Sequence, residues 1–271
     1  MISWHRLLGL TLMDFFTDSC FEVELEKDLT SQEQFLDILI IRKTIGQPPS
    51  FLPDGLEGLS KYNLLTYKSM REPLNSWTMK ELVGSSVIYR KEISPSTKNL
   101  LPESEFKLYA VCTNYPQKLA NMVAFEEIMA GVYDVLWGTD LIRVIVTSRL
   151  DKQNQNAIFL LFSGRTDSFK FGNLNYKWHS FKAKGLLNQL YDLYFKEGTV
   201  MSYTWDDFHR EYTDKFIDSL PPEERLRGLQ PEERLEGLPH KELLKVLQPE
   251  ERLEGLSPEV IEEYLAKLKQ Q

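Results

Sequence analysis

The sequence predicts an α/β fold followed by a short tail of helical turns, on three observations. Segments of strand-like composition stand on both sides of one longer segment whose apolar residues recur at helical spacing. At 271 residues and 42 % hydrophobic content the chain can bury a full core. From Leu220 onward the composition shifts abruptly to a repeat with a period of nine.

Residues 21–26, Phe-Glu-Val-Glu-Leu-Glu, alternate apolar and acidic with period two, the pattern of a strand with one buried face. A polar connection leads to a second strand over 34–43, which is apolar and β-branched apart from Asp37. Residues 44–60 hold Gly46, Pro48, Pro49, Pro53, Gly55 and Gly58, so this stretch is irregular chain. A third strand follows at 62–69. Leu74, Trp77, Leu82, Val83, Ile88 and Tyr89 predict an amphipathic helix over 72–91, with Pro73 in its first turn. Residues 106–113 read as a strand, and 131–136 with 141–147 as a hairpin turning at Trp137-Gly138-Thr139-Asp140. Two helices, 154–163 and 180–196, close the body, the second with Leu186, Leu187, Leu190, Leu193 and Tyr194 inward.

In the tail, Gln-Pro-Glu-Glu-Arg-Leu-Glu-Gly occurs at 230–237 and again at 248–255. Proline suits the start of a helical turn, the two glutamates favour the positive end of its dipole, and glycine ends it. The expected structure is a string of single turns closed by a longer helix over 256–269. From residue 220 the tail holds 12 acidic and 8 basic side chains, which fits a protein-contact or spacer segment better than a nucleic-acid arm.

Overall charge is −8, from 40 acidic and 32 basic residues, so bulk electrostatics do not attract the chain to nucleic acid. Cys20 and Cys112 are too few and too far apart for a disulfide framework or a zinc site, which suggests a reducing, cytoplasmic setting. The run Leu7-Leu8-Gly9-Leu10-Thr11-Leu12-Met13 is too short for a signal peptide and lacks a small-residue cleavage site. No segment has the apolar length to span a bilayer, so no membrane association is expected. The first dozen residues read as a poorly anchored extension with Met13 as a plausible start.

Asp37 draws attention because an unpaired charge in an apolar strand is costly unless it is paired, protonated or metal-bound. The plainer alternative is a strand-end aspartate that reaches solvent or accepts backbone N–H groups. The order of elements decides how to weigh the two: a short helical segment before Phe21, a strand, a strand with Asp37, a strand with Thr66-Tyr67-Lys68, a long helix and a strand. This order resembles the αβββαβ core of PD-(D/E)XK nucleases. Over residues 15–194 the chain is similar to the bacterial recombination-promoting nuclease and transposase-like family, which includes members with Leu-Pro-Pro-Glu-Glu-Arg-Leu tails. The resemblance implies a restriction-endonuclease-like fold with a mixed sheet, an added hairpin and C-terminal helices. It divides the chain into an extension (1–14), a nuclease-like domain (15–218) and a repeat tail (219–271).

The resemblance further implies a metal-dependent DNA endonuclease using Mg²⁺ or Mn²⁺. Asp37 matches the metal-binding aspartate and Lys68 the lysine that serves the attacking water. Thr66 stands where the family has a second acid, which leaves the inferred site one negative charge short. Glu24, Glu72 and Glu81 can replace that acid, with Glu24, expected across from Asp37, foremost as catalytic and metal-binding residue. The competing reading is an inactive nuclease-fold protein that binds another protein through its tail or acidic surface. His5, His179, His209 and His240 are dispersed and form no metal cluster or dyad, and no glycine-rich phosphate loop occurs. Tyr176, Trp178 and Phe181, with Lys170, Lys177, Lys182 and Lys184, could stack bases, but such a stretch is more often core with a snorkelling rim.

Overall fold

A computed structural model describes residues 3–29, 35–43, 45–179, 183, 185–196, 248 and 255–269. The chain divides into two compact units, Met1–Tyr203 and Thr204–Gln271. The first unit is α/β. Its seven-stranded mixed sheet runs in the order β1-β2-β3-β4-β7-β6-β5, with β1 Phe21–Asp28, β2 Phe35–Arg42, β3 Tyr62–Lys68, β4 Phe106–Cys112, β5 Glu126–Met129, β6 Val132–Trp137 and β7 Asp140–Val146.

The first three strands form an antiparallel meander. β4 then lies parallel to β3, with Lys68 beside Cys112, and a parallel neighbour requires a long crossover. That crossover contains helix α2, Ser76–Ile93. The short helix α3, Gln117–Ala120, follows β4, and β7 is parallel to β4 and antiparallel to β6. The hairpin expected at Gly138 is present, with Trp137 paired to Asp140 and Gly138 at φ +67°. Glycine tolerates that conformation at no steric cost.

α2 covers one face of the sheet. Its Met79, Leu82 and Tyr89 pack with Leu39, Leu64, Leu108, Ala110 and Val144. The helix starts later than expected, because the Asn75 side chain accepts hydrogen bonds from the Trp77 and Thr78 amides at 2.9 and 3.0 Å and so caps it. Pro73 therefore lies outside the helix. Trp77, expected among the inward residues, is 65 % exposed.

The other face is covered by α1, Trp4–Phe15, which corrects the expectation of a poorly anchored N-terminal extension. Trp4, Leu7, Leu8 and Leu12 are buried at helical spacing. Gly9 lets the helix approach the sheet closely, since a Cβ there would run into the Leu25 side chain. Asp14 is buried too, and accepts hydrogen bonds from the Tyr176 hydroxyl at 2.9 Å and the His179 amide at 3.1 Å. Tyr176 packs edge-on against Trp178. This part of the aromatic cluster thus anchors α1, whereas Phe181, Lys182 and Lys184 lie outside the described residues.

The helix expected over 154–163 is a single 3-10 turn followed by α4, Ala157–Leu160, and a separate α5, Thr166–Asn175, follows it. α6, Leu186–Lys196, packs against α1. In the second unit the described helix is α7, Pro258–Leu268, with Val260, Tyr264 and Leu265 exposed. The repeats at 219–254 fall almost entirely outside the described residues. Among the described residues no helix is long and apolar enough to cross a membrane.

Candidate active site

The register of the sheet places Asp37 one rung beyond the last paired residues of β2 and β3, Ile38 and Leu65. At that point the side chain takes over from the backbone ladder. Asp37 Oδ2 accepts the Tyr67 amide at 3.0 Å and the Thr66 hydroxyl at 2.7 Å. The strand-end alternative thus describes this oxygen correctly. Oδ1 has no hydrogen-bond partner among the described residues, and Asp37 lines a cleft of about 460 Å³ together with Thr66 and Lys68 of β3 and residues of α2.

Lys68 ends β3 and lines the same cleft, as do Thr66, Trp77, Lys80, Glu81 and Gly84. Lys68 and Lys80 form no ion pair among the described residues. Glu81 Oε1 accepts the Trp77 indole N–H at 2.6 Å, which leaves Oε2 without a partner among the described residues. The cleft so combines two carboxylates and two ammonium groups, each pair split between the sheet and α2. Such a site can hold a phosphate without a large net charge of its own.

Glu24 is placed differently from its expected position. It pairs in register with Leu39, two residues along β2 from Asp37, and its carboxylate meets Lys27 at 3.2 Å. The acid next in register to Asp37 is Glu26, but its backbone adopts φ +49° and its carboxylate turns to Arg6 at 2.5 Å on α1. Glu72 is exposed before α2 begins and does not line the cleft. Of the three replacement acids, Glu81 alone reaches the cleft.

His5 and His179 are separate, at Glu26 and Asp14 respectively, while His209 and His240 lie outside the described residues. Among the described residues no three His, Cys, Asp or Glu side chains converge on a metal-sized site. Mg²⁺, however, is commonly held by one or two carboxylates with water and substrate phosphate completing its octahedron. Asp37 and Glu81 fit that donor set.

A second cleft, of about 490 Å³, is lined by Arg90, Glu103, Asp134 and Arg143. Four of its charges pair with one another, since Arg90 meets Glu103 at 2.7 Å and Arg143 grips Asp134 with two hydrogen bonds, while Lys107 and Asp140 also line it.

The sequence reading missed Trp77, Lys80 and Gly84 as cleft residues. The signal available was their spacing with Glu81, which puts all four on one side of a helix. No family model, curated protein or solved structure matches the chain.

Proposed function

We propose that the chain is a metal-dependent phosphodiester hydrolase acting on DNA in the cytoplasm, with a core of the PD-(D/E)XK nuclease type. The observation that carries this reading is the meeting of Asp37 from β2, Lys68 from β3 and Glu81 from α2 in one cleft. The element order supports it, because an antiparallel three-strand meander followed by a crossover helix and a parallel fourth strand is the αβββαβ arrangement.

In this reading Asp37 and Glu81 would hold Mg²⁺ or Mn²⁺, which would supply charge neutralisation and a water of lowered pKa. Lys68 orients the attacking water at the scissile phosphate, and Lys80 balances phosphate charge from the helix side. Thr66 contributes no carboxylate. Its hydroxyl instead holds Asp37 Oδ2 through the 2.7 Å hydrogen bond, which leaves Oδ1 as the oxygen for the cation.

A second reading, an inactive fold that binds a protein partner through its tail, is favoured by one observation. Asp37 Oδ2 already serves the strand ladder, which gives the acid a reason to be present without catalysis. Nicking of supercoiled plasmid with Mg²⁺ or Mn²⁺ separates the two. The hydrolase reading expects nicking by the wild type and its loss in Asp37→Asn, which retains an oxygen acceptor for the Tyr67 amide. An inactive wild type favours the second reading, whereas nicking that survives the substitution means contamination or another site and overturns the assignment to Asp37.

A further inference from the structure

The α2 wall of the cleft has two features that packing does not require, although the Trp77 indole N–H also donates to Glu81 at 2.6 Å. Trp77 is 65 % exposed, although an indole carries a large apolar surface that is usually buried. Gly84, two turns further along and on the same side, sits inside the helix, where glycine is weaker than alanine. A Cβ at Gly84 would meet nothing within 4 Å. Its φ is not among the positive ones, so neither packing nor backbone geometry calls for glycine there. What the missing side chain provides is open space in the cleft. Lys80 lies between the two residues in sequence, with no ion-pair partner among the described residues.

We propose that this wall receives an unpaired nucleotide. The Trp77 indole stacks on the base, the Lys80 ammonium meets the adjoining phosphate, and the space above Gly84 admits the nucleotide body. The inference rests on the phosphodiester reading above and assigns its substrate class: single-stranded DNA, or a strand locally opened, in preference to an intact duplex. In a duplex each base is already stacked on its neighbours and offers no free face to an indole, whereas an unpaired base does. The charge balance agrees. With Asp37 and Glu81 offsetting Lys68 and Lys80, stacking rather than counterion release supplies much of the affinity, so binding weakens little as salt rises.

The test uses the full chain in EDTA, so that binding is read without cleavage, with a labelled oligothymidine strand and a blunt duplex of the same length. Anisotropy gives affinity, and tryptophan fluorescence reports stacking. The wild type is expected to bind the strand about tenfold or more tighter than the duplex, with quenching that Trp77→Phe removes. Trp77→Ala is expected to weaken strand binding by about tenfold, while Trp77→Phe, which keeps a ring, stays within about threefold of the wild type. Gly84→Leu, whose Cβ would meet nothing within 4 Å, is expected to weaken strand binding with no fall in melting temperature. Equal affinity for strand and duplex, or wild-type strand binding by both Trp77→Ala and Gly84→Leu, overturns the inference. If plasmid nicking still depends on Asp37 in that case, the hydrolase reading stands alone. A Trp77-dependent strand preference in a protein whose nicking ignores Asp37 overturns that reading instead.

Discussion

The Thr66 hydroxyl and the Tyr67 amide donate to the same oxygen of Asp37, and this gives the threonine at this position a structural role of its own. A second carboxylate there would face the first across a hydrogen-bond distance, in a position only 8 % exposed. Thr66→Glu is therefore expected to lower the melting temperature of the metal-free protein, by like-charge repulsion and loss of a hydrogen bond. Mg²⁺ should then raise it by more than it raises the wild type, because ligand binding to the native state stabilises by mass action. Thermal scans with and without Mg²⁺ check this, and an equal increment in both proteins would place Thr66 away from the cation. Asp37 and Lys68 were legible in the sequence as an acid inside an apolar strand and a lysine ending the next. Glu81 was legible only as one of three alternative acids, behind Glu24, because its arrival at the cleft depends on which face α2 turns to the sheet. Trp77 was misassigned because an aromatic at the margin of an apolar stripe satisfies helical periodicity whether or not it is buried.

At the scale of elements, strands with clear alternation and the hairpin around Gly138 emerged close to their observed limits, since period two and a turn glycine are local signals. β5 carried no such signal: all four of its residues are exposed, so nothing alternates. α5 was hidden by Gly172, which weakens the helical pattern but is demanded by packing. A Cβ there would come within 2.6 Å of the Ala157 carbonyl oxygen. α1 was undervalued for a different reason, because a short apolar run shows nothing of what it will cover. Its Leu7, Leu8 and Leu12 are at most 1 % exposed, and each such side chain contributes about 1.5–3 kcal/mol on burial. A chain beginning at Met13 is accordingly expected to lose the cooperative unfolding transition of the full chain, as followed by circular dichroism in urea. A truncated protein with an unchanged midpoint would show that α1 does not hold the first unit together.

The first unit as a whole buries several groups that ionise only at high pH. Cys112 is fully enclosed, and desolvation pushes its thiol up to about 12. Burial likewise raises Tyr89, Tyr109 and Tyr176 above their ordinary value. Below about pH 8 these groups are almost wholly neutral in both states and contribute little pH dependence. Above it the unfolded chain releases protons that the native state retains, so stability falls as pH rises through about 9 to 12. The urea midpoint at about pH 10.5 should lie below that at about pH 8; equal midpoints would mean that these groups ionise freely in the native protein. The α/β class and the order of elements along the chain were readable because each strand and helix leaves a local mark. The proposed site was not, because its second acid stands on α2, across the cleft from the sheet.

That second acid is also where the account is most exposed to test. Plasmid nicking by Glu81→Gln and Glu24→Gln, measured side by side with the wild type under Mg²⁺, compares the acid in the cleft with the acid held by Lys27. The account predicts a loss of about tenfold or more for Glu81→Gln and an unchanged rate for Glu24→Gln. Full activity in Glu81→Gln, or a loss confined to Glu24→Gln, would contradict it.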